Sequence, residues 1–177
     1  TAVILAAGLG TRLRSRKPKV LHDVGSKPMI DHVVDACREA GIERTIAVLN
    51  PVQPEVAEHL AGRCEVAFQE QPRGTGHALA MVPVDRLAGD VVVINGDAAL
   101  IRPETIALLI ARHRESDAKA TLATVGDPGR PDGRVLRTPA GDFDPIAEDT
   151  DAADVRPRGT VPPVRPPCSR AADPPAP

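Results

Sequence analysis

Apolar residues along the chain follow two alternating rhythms. Ala2 to Ala7 is a continuous apolar run, and Val3–Ala6 reads as a buried strand that breaks abruptly into Gly8 and Gly10. From Met29 to Ala40 the apolar positions Met29, Ile30, Val33, Val34, Cys37 and Ala40 recur at helical spacing, with Gly41 as the expected stop. Thr45–Leu49 then reads as a strand, Glu55–Ala61 as a short helix and Glu65–Phe68 as a strand. Thr75 is expected to cap a helix running through Ala78, Leu79 and Val82. Val91–Ile94 is an unbroken aliphatic run, the pattern of a strand covered on both faces. Pro103 suits the first turn of a helix whose Ile106, Leu109 and Ile110 face a core, and Ala120–Val125 is expected to close the series as another strand. Strand–helix alternation of this kind predicts an α/β domain with a mostly parallel sheet and helices on both faces.

Beyond Val125 the texture changes. Gly126 to Gly133 reads as a loop, and Val135-Leu136 with Phe143–Ala147 as a weak hairpin around Gly141. From Asp154 onward the chain carries eight prolines and only Val155, Val161 and Val164 as large apolar residues. Such a segment buries too little surface to offset its ordering entropy, so residues 153–177 are expected to be a disordered Pro/Arg/Ala-rich tail. Pro163-Val164-Arg165-Pro166 matches PxxP, and a polyproline docking peptide is the alternative. The expected organisation is one partial domain, residues 1–152, followed by that tail.

Composition narrows the function. The net charge of −2 over 177 residues argues against a nucleic-acid binder, and the absence of Trp and Tyr removes base-stacking platforms. Cys37, Cys64 and Cys168 are odd in number and widely spaced, which favours reduced thiols in a cytoplasm over a disulfide framework. The first apolar run is too short for a membrane span and lacks a charged start, so no membrane partner is expected. The oligomeric state is not legible.

Three strand-end clusters carry the candidate chemistry. After the first strand come Gly8 and Gly10, then Arg12, Arg14, Arg16, Lys17 and Lys19, with no acidic residue before Asp23. Glycine lets backbone amides approach phosphate oxygens, and the cations would balance a polyphosphate; a tight turn with solvated arginines is the plainer reading. The loop is neither GxGxxG nor a P-loop. The second cluster is Gln69-Glu70-Gln71-Pro72-Arg73-Gly74-Thr75-Gly76-His77-Ala78. There Gln69 offers a donor and an acceptor suited to the edge of a base, Gly74 and Gly76 permit close approach, and the Thr75 hydroxyl can bond a base. A capped turn with His77 as an ordinary polar side chain explains the cluster equally well. The third is Asn95-Gly96-Asp97 at the end of the Val91–Ile94 strand, where Asp97 can hold Mg²⁺ with substrate phosphates; a turn aspartate is the alternative.

Taken together, Leu5-Ala6-Ala7-Gly8-Leu9-Gly10-Thr11-Arg12, Pro18-Lys19-Val20-Leu21-His22, Gly74-Thr75-Gly76-His77-Ala78 and Asn95-Gly96-Asp97 resemble the sugar-1-phosphate nucleotidyltransferases. More narrowly, they resemble the N-terminal uridyltransferase domain of bacterial bifunctional UDP-N-acetylglucosamine pyrophosphorylase/glucosamine-1-phosphate N-acetyltransferase. The resemblance implies a Rossmann-like three-layer domain that transfers uridylyl from UTP to N-acetylglucosamine-1-phosphate with Mg²⁺ as cofactor, releasing pyrophosphate for cell-wall precursor synthesis. It gives catalytic roles to Arg12 and Lys19, and nucleotide contacts to Leu5, Ala6, Ala7, Gly8, Gly10, Thr11, Gln69, Gly74 and Thr75. It gives sugar contacts to Asn95, Gly96, Gly133 and Glu148, and the metal to Asp97. Pro131-Asp132 depart from the family pattern before Gly133. The resemblance stops near Ala152, so the sheet is expected to be incomplete on its C-terminal side and the chain truncated relative to the family. A non-catalytic nucleotide-binding relative, or a transferase for another sugar-1-phosphate, are the competing readings.

Overall fold

The computed structural model describes residues 1–71 and 73–124, and the backbone of 134–137 and 143–147. The chain divides after Ala123 into two units. The first is built on four parallel strands: β1 (Ala2–Ala6), β4 (Thr45–Leu49), β5 (Glu65–Phe68) and β6 (Val92–Asn95), in the order β5-β4-β1-β6. The chain steps outward from β1 through β4 to β5, then returns to place β6 on the other flank of β1. That reversal is the switch point of a doubly wound sheet, the position where ligands bind beyond the strand carboxyl ends. A two-stranded antiparallel ribbon, β2 (Asp23–Val24) and β3 (Lys27–Pro28), leads into the first helix.

Side-chain alternation along the strands separates two apolar layers. Ala2, Ile4, Ala6, Ala47, Leu49, Val92 and Ile94 meet helix α1 (Met29–Glu39), helix α2 (Pro54–His59) and helix α4 (Pro103–Arg114) through Ile30, Val33, Cys37, Val56, Leu60 and Ile106. On the opposite face Val3, Ala7, Ile46, Val48 and Ala67 meet helix α3 (Thr75–Ala80) and Val82. Helix, sheet and helix form three layers, as the alternation predicts.

Helix ends follow their local sequence. Gly41 sits at φ +82° beyond α1, with its amide donating to the Arg38 carbonyl at 3.0 Å and the Ile42 amide to the Cys37 carbonyl at 3.1 Å. This paired pattern closes α1 in a Schellman motif that only a residue tolerant of positive φ makes without strain. Proline opens both α2 and α4 in the first turn.

Three local expectations differ from the structure. Residues 120–124 carry no strand. Leu122 is their one large apolar side chain and is exposed, so a strand there has little burial to secure it. The β6 strand is covered on one face only: Val92 and Ile94 are buried, while Val91 and Val93 are exposed. Being aliphatic all round does not supply a second covering layer, and β6 is the sheet's outer strand among the described residues. Helix α3 is capped by Gly74 at φ +94° with no side-chain cap, leaving Thr75 as its first helical residue. The hairpin expected in the second unit is present as β7 (Arg134–Arg137) paired antiparallel with β8 (Phe143–Ala147), with an irregular register between Val135 and Arg137. The proposed tail, 153–177, lies outside the described residues.

Beside the core, α1 carries a charge network. Asp35 accepts from Lys27 at 2.7 Å, from Arg38 at 3.2 Å and from Arg63 at 3.2 Å, while the buried Asp31 pairs with Arg63 and contacts His59 Nε2 at 2.8 Å. The Lys27 hydrogen bond, opposed in part by burial, holds the Asp35 carboxyl below its ordinary value. Cys37 and Cys64 are free thiols, and burial pushes each up to about 11, so both stay protonated near neutrality.

Ile4 is fully buried at the sheet centre, so Ile4→Ala should lower the unfolding free energy by about 3–4 kcal/mol in urea titration. Val93→Thr, on the open face of β6, should change it by less than about 1 kcal/mol. Because the folded-state pKa of Asp35 is lowered, its contribution is complete above the ordinary carboxylate range and lost as pH falls below it. Urea midpoints measured from neutral to acid pH should therefore fall less steeply in Asp35→Asn than in the parent, from a lower neutral starting point.

Candidate functional site

Four strand ends line one edge of the sheet, and with neighbouring strands about 4.8 Å apart that edge spans roughly 14 Å from β5 to β6. At the switch point, the Gly96 amide donates to the Leu5 carbonyl at 2.8 Å, joining the segment after β6 to the end of β1. A Cβ at Gly96 would stand 2.9 Å from the Ala6 Cβ and 3.2 Å from the Leu5 carbonyl, so only glycine allows this approach. Gly96 thus serves to bring Asn95 and Asp97 beside Leu5, Ala6, Ala7 and Gly8. Ala6 and Ala7 are buried as the floor of this edge, Leu5 is half-buried, and Gly8 is exposed with open space around its Cα.

From Gly8 the chain leaves the core. Gly10 takes the left-handed conformation at φ +63° and starts a single 3-10 turn, Thr11–Leu13. A Cβ there would lie 2.7 Å from the Lys19 Cβ, so the phosphate-loop candidate folds directly onto Lys19. Arg14, at φ +48°, is the only non-glycine residue with positive φ in the described structure, a conformation that costs roughly 1–2 kcal/mol. Thr11, Arg12, Arg14 and Arg16 are exposed.

Lys19 is set differently. It opens a second 3-10 turn, Lys19–Leu21, whose neighbours Pro18, Val20 and Leu21 are buried; Val20 and Leu21 belong to the α1-side core. The Lys19 backbone is therefore fixed by apolar packing, while its ammonium reaches the Asp97 carboxylate as an ion pair. The structure brings together Lys19 and Asp97, two residues 78 positions apart in sequence. Lys17 pairs more loosely with Asp23 at 3.4 Å.

The ammonium on Asp97 bears on the expected metal. It shows a cation held at that carboxylate, and no group of three or more His, Cys, Asp or Glu side chains suited to a metal occurs among the described residues. One carboxylate beside a phosphate-accepting loop is the donor set that suits Mg²⁺, which keeps waters and borrows ligands from substrate phosphates. The residues present fit such an ion.

At the β5 end, Gln69 is 3% exposed and its backbone N–H donates to the Leu49 carbonyl at 2.8 Å. Its side-chain Nε2 donates to the Gly74 carbonyl at 3.3 Å and contacts His77 Nδ1 at 2.8 Å. Gly74 and Thr75 are exposed beside it. The sequence offers an ordinary polar His77 as one of two equal readings of this cluster and gives it no partner; its spacing of eight from Gln69 is the only signal, and a loop of unknown course leaves that uninterpretable. Gly133 and Glu148 lie outside the described residues, so of the residues expected to meet a sugar only Asn95 and Gly96 are placed. Apart from this edge, a cleft of about 260 Å³ is lined by Val34, Arg38, Ile42, Glu43, Thr45, Gly62 and Arg63. It takes in the amino ends of β4 and the α1–β4 turn, and holds none of the candidate residues.

A parallel sheet that reverses beside β1, with a glycine loop, a lysine and an aspartate gathered at the reversal, defines an α/β domain of the nucleotidyltransferase kind. The comparisons with known proteins agree. A family model described as the MobA-like NTP transferase domain matches residues 2–155, and the chain belongs to that family. The bifunctional protein GlmU of Geobacillus thermodenitrificans is 44% identical over 154 residues, spanning 85% of this chain and 34% of that protein. GlmU of Symbiobacterium thermophilum is 45% identical over 145 residues, 79% of this chain and 31% of that protein. The chain thus spans about a third of the length of these relatives, and the match falls on their N-terminal domain. Among solved structures, Rv0371c from Mycobacterium tuberculosis H37Rv superposes with a TM-score of 0.53 at 26% identity, over 66% of this chain and 61% of that one. Its complex with manganese gives 0.52 at 25% identity, over 66% and 60%. A nucleotidyl transferase from Methanothermobacter thermautotroptrophicus gives 0.52 at 26% identity, over 62% and 56%.

The Gly96 contact yields a direct test. Gly96→Ala should destabilise the fold by about 1–3 kcal/mol, because the added methyl meets backbone and a buried alanine. Gly8→Ala, with open space at its Cα, should stay within about 1 kcal/mol of the parent in the same chemical denaturation series.

Proposed function

We propose that the chain is a sugar-1-phosphate uridylyltransferase domain, joining UTP and N-acetylglucosamine-1-phosphate to give UDP-N-acetylglucosamine and pyrophosphate. The observation that carries the reading is the assembly of Lys19 and Asp97 at the β1/β6 switch point, beside a loop of exposed cations. Similarity to GlmU proteins over the matched domain supports the choice of substrates.

In this reading the triphosphate lies against the amides from Gly8 to Thr11, with Leu5, Ala6, Ala7 and Gly10 forming the floor and turn of its cradle. Arg12 carries charge onto the leaving pyrophosphate oxygens. Lys19, held at its backbone by the buried Pro18, Val20 and Leu21, moves its ammonium from Asp97 to the α-phosphate, where negative charge is balanced as the sugar phosphate attacks in line. Asp97, freed of Lys19, is the residue that would hold Mg²⁺, and the ion would supply charge neutralisation of the triphosphate. At the far end Gln69, Gly74 and Thr75 receive the uracil edge. Asn95 and Gly96 contact the sugar side, with Gly133 and Glu148 completing it. A divalent ion in this role is in keeping with the manganese complex of Rv0371c. The reaction belongs to the cytoplasm, and no helix of the described residues is long and apolar enough to cross a membrane.

Pyrophosphate release from UTP, N-acetylglucosamine-1-phosphate and Mg²⁺ tests the proposal. Lys19→Ala and Asp97→Ala should each lower kcat by roughly 100- to 1,000-fold, the usual loss when one charge-stabilising group is removed. Their melting temperatures should stay near the parent's, because both side chains are partly exposed. Release by the parent no faster than by the Lys19→Ala, Asp97→Ala double variant overturns the catalytic reading in favour of a nucleotide-binding module.

A further inference from the structure

Gln69 is one of three buried polar or charged side chains in the described core, and its amide is held in one orientation. The Gly74 carbonyl can only accept, so the atom 3.3 Å from it is the amide nitrogen. The second proton on that nitrogen then goes to His77 Nδ1 at 2.8 Å. His77 Nδ1 must be the unprotonated ring nitrogen, with the ring proton on Nε2. Both Gln69 amide protons are committed, and Oε1 is the part of the amide left for a ligand.

We propose that His77 is a specificity-determining positioning residue, whose Nδ1 locks the Gln69 amide so that a nucleobase meets an acceptor oxygen. The proposal rests on the nucleotide reading above and adds the selection of the base. An acceptor at this place pairs with the N3–H of a uracil ring. Cytosine carries an unprotonated N3 at the same position and sets a lone pair against it. Without His77 the amide turns about its last bond at little cost, because only the long contact to Gly74 opposes rotation. Such an amide presents donor or acceptor indifferently, and discrimination falls. Rejection by a misplaced polar group is the strongest form of selectivity a small site has.

The role requires an acceptor two bonds from Cβ, not an imidazole as such. Asn places Oδ1 where His places Nδ1, whereas Leu places a methyl group there. Dissociation constants for UTP and CTP, measured on the full chain in Mg²⁺, report the lock independently of turnover. We expect the parent and His77→Asn to share a preference for UTP, and His77→Leu to lose at least about tenfold of it. In long-range ¹H–¹⁵N spectra, the parent His77 should show Nδ1 unprotonated and Nε2 protonated. The Gln69 side-chain amide protons should be slowed in exchange in the parent and in His77→Asn, and fast in His77→Leu. A His77→Leu variant that keeps the preference, a parent that binds UTP and CTP equally, or a His77 with Nδ1 protonated each overturns the proposal. A UTP preference that depends on His77, found without pyrophosphate release, supports it while overturning the transfer reading.

Discussion

The site depends on how closely β6 approaches β1 beyond their last paired residues. The Gly96 amide hydrogen-bonds the Leu5 carbonyl, and the bare Gly96 Cα sits against Ala6. These atoms hold the end of an outer strand against the end of a central one, at the point where the sheet reverses its winding. Any side chain at position 96 pushes Asp97 away from the loop that begins at Gly8. Ala6 serves the same end, because a larger residue there would meet Gly96 as surely as a Cβ on Gly96 meets Ala6. Small residues here are therefore spacing elements for the Asp97 carboxylate and the glycine loop, and the fold's apolar core supplies the rigidity that makes the spacing reproducible.

Lys19 shows how a flexible side chain gains a defined place. Its stem starts from a turn anchored by the buried Pro18, Val20 and Leu21, and it is crowded by Gly10 from the side. The end is free to choose between partners. In the structure it chooses Asp97, and an ion pair between partly exposed groups is typically worth less than about 1 kcal/mol, little enough for a more highly charged anion to displace. A deeply buried pair would resist that exchange. The moderate exposure of both groups is thus what would let the proposed exchange of partners occur.

Much of this was legible in sequence, for identifiable reasons. Strand β4 and strand β5 fall where short aliphatic runs predict, and α1 follows its apolar spacing and ends at Gly41 through a local αL stop. Local signals sufficed because those elements satisfy their own hydrogen bonds or pair with immediate neighbours. The misjudgements concern what covers an element. Val93 is as aliphatic as Val92, yet its exposure is decided by which helices reach β6, and sequence runs do not encode that. The two 3-10 turns around Lys19 and the β2–β3 ribbon escaped notice because they are too short to show a period. Of the candidate residues, Lys19 and Asp97 were each readable alone, but their pairing comes from the strand order. His77 is visible in the Gly74–Ala78 motif, but its pairing with Gln69 is not, because that partner sits across a loop whose course only the fold reveals.

The division of labour along the sheet edge follows from what each end can offer. In the proposed reading, phosphates are met by charge and by amides that carry no information about the base, so the β1/β6 reversal would not distinguish one nucleoside triphosphate from another. Discrimination has to be built where the chain presents a directional polar group, and the β5 end supplies one in Gln69. A free glutamine amide is a poor discriminator, because it turns to suit donor or acceptor alike. Burying it to 3% exposure removes solvent as a competing partner, and engaging both amide protons removes the rotational freedom. His77 takes part in that arrangement through its ring, from a position inside helix α3. Under the proposed reading, catalytic electrostatics and base selection fall on different strands and rest on different contacts, so a change in the one need not disturb the other.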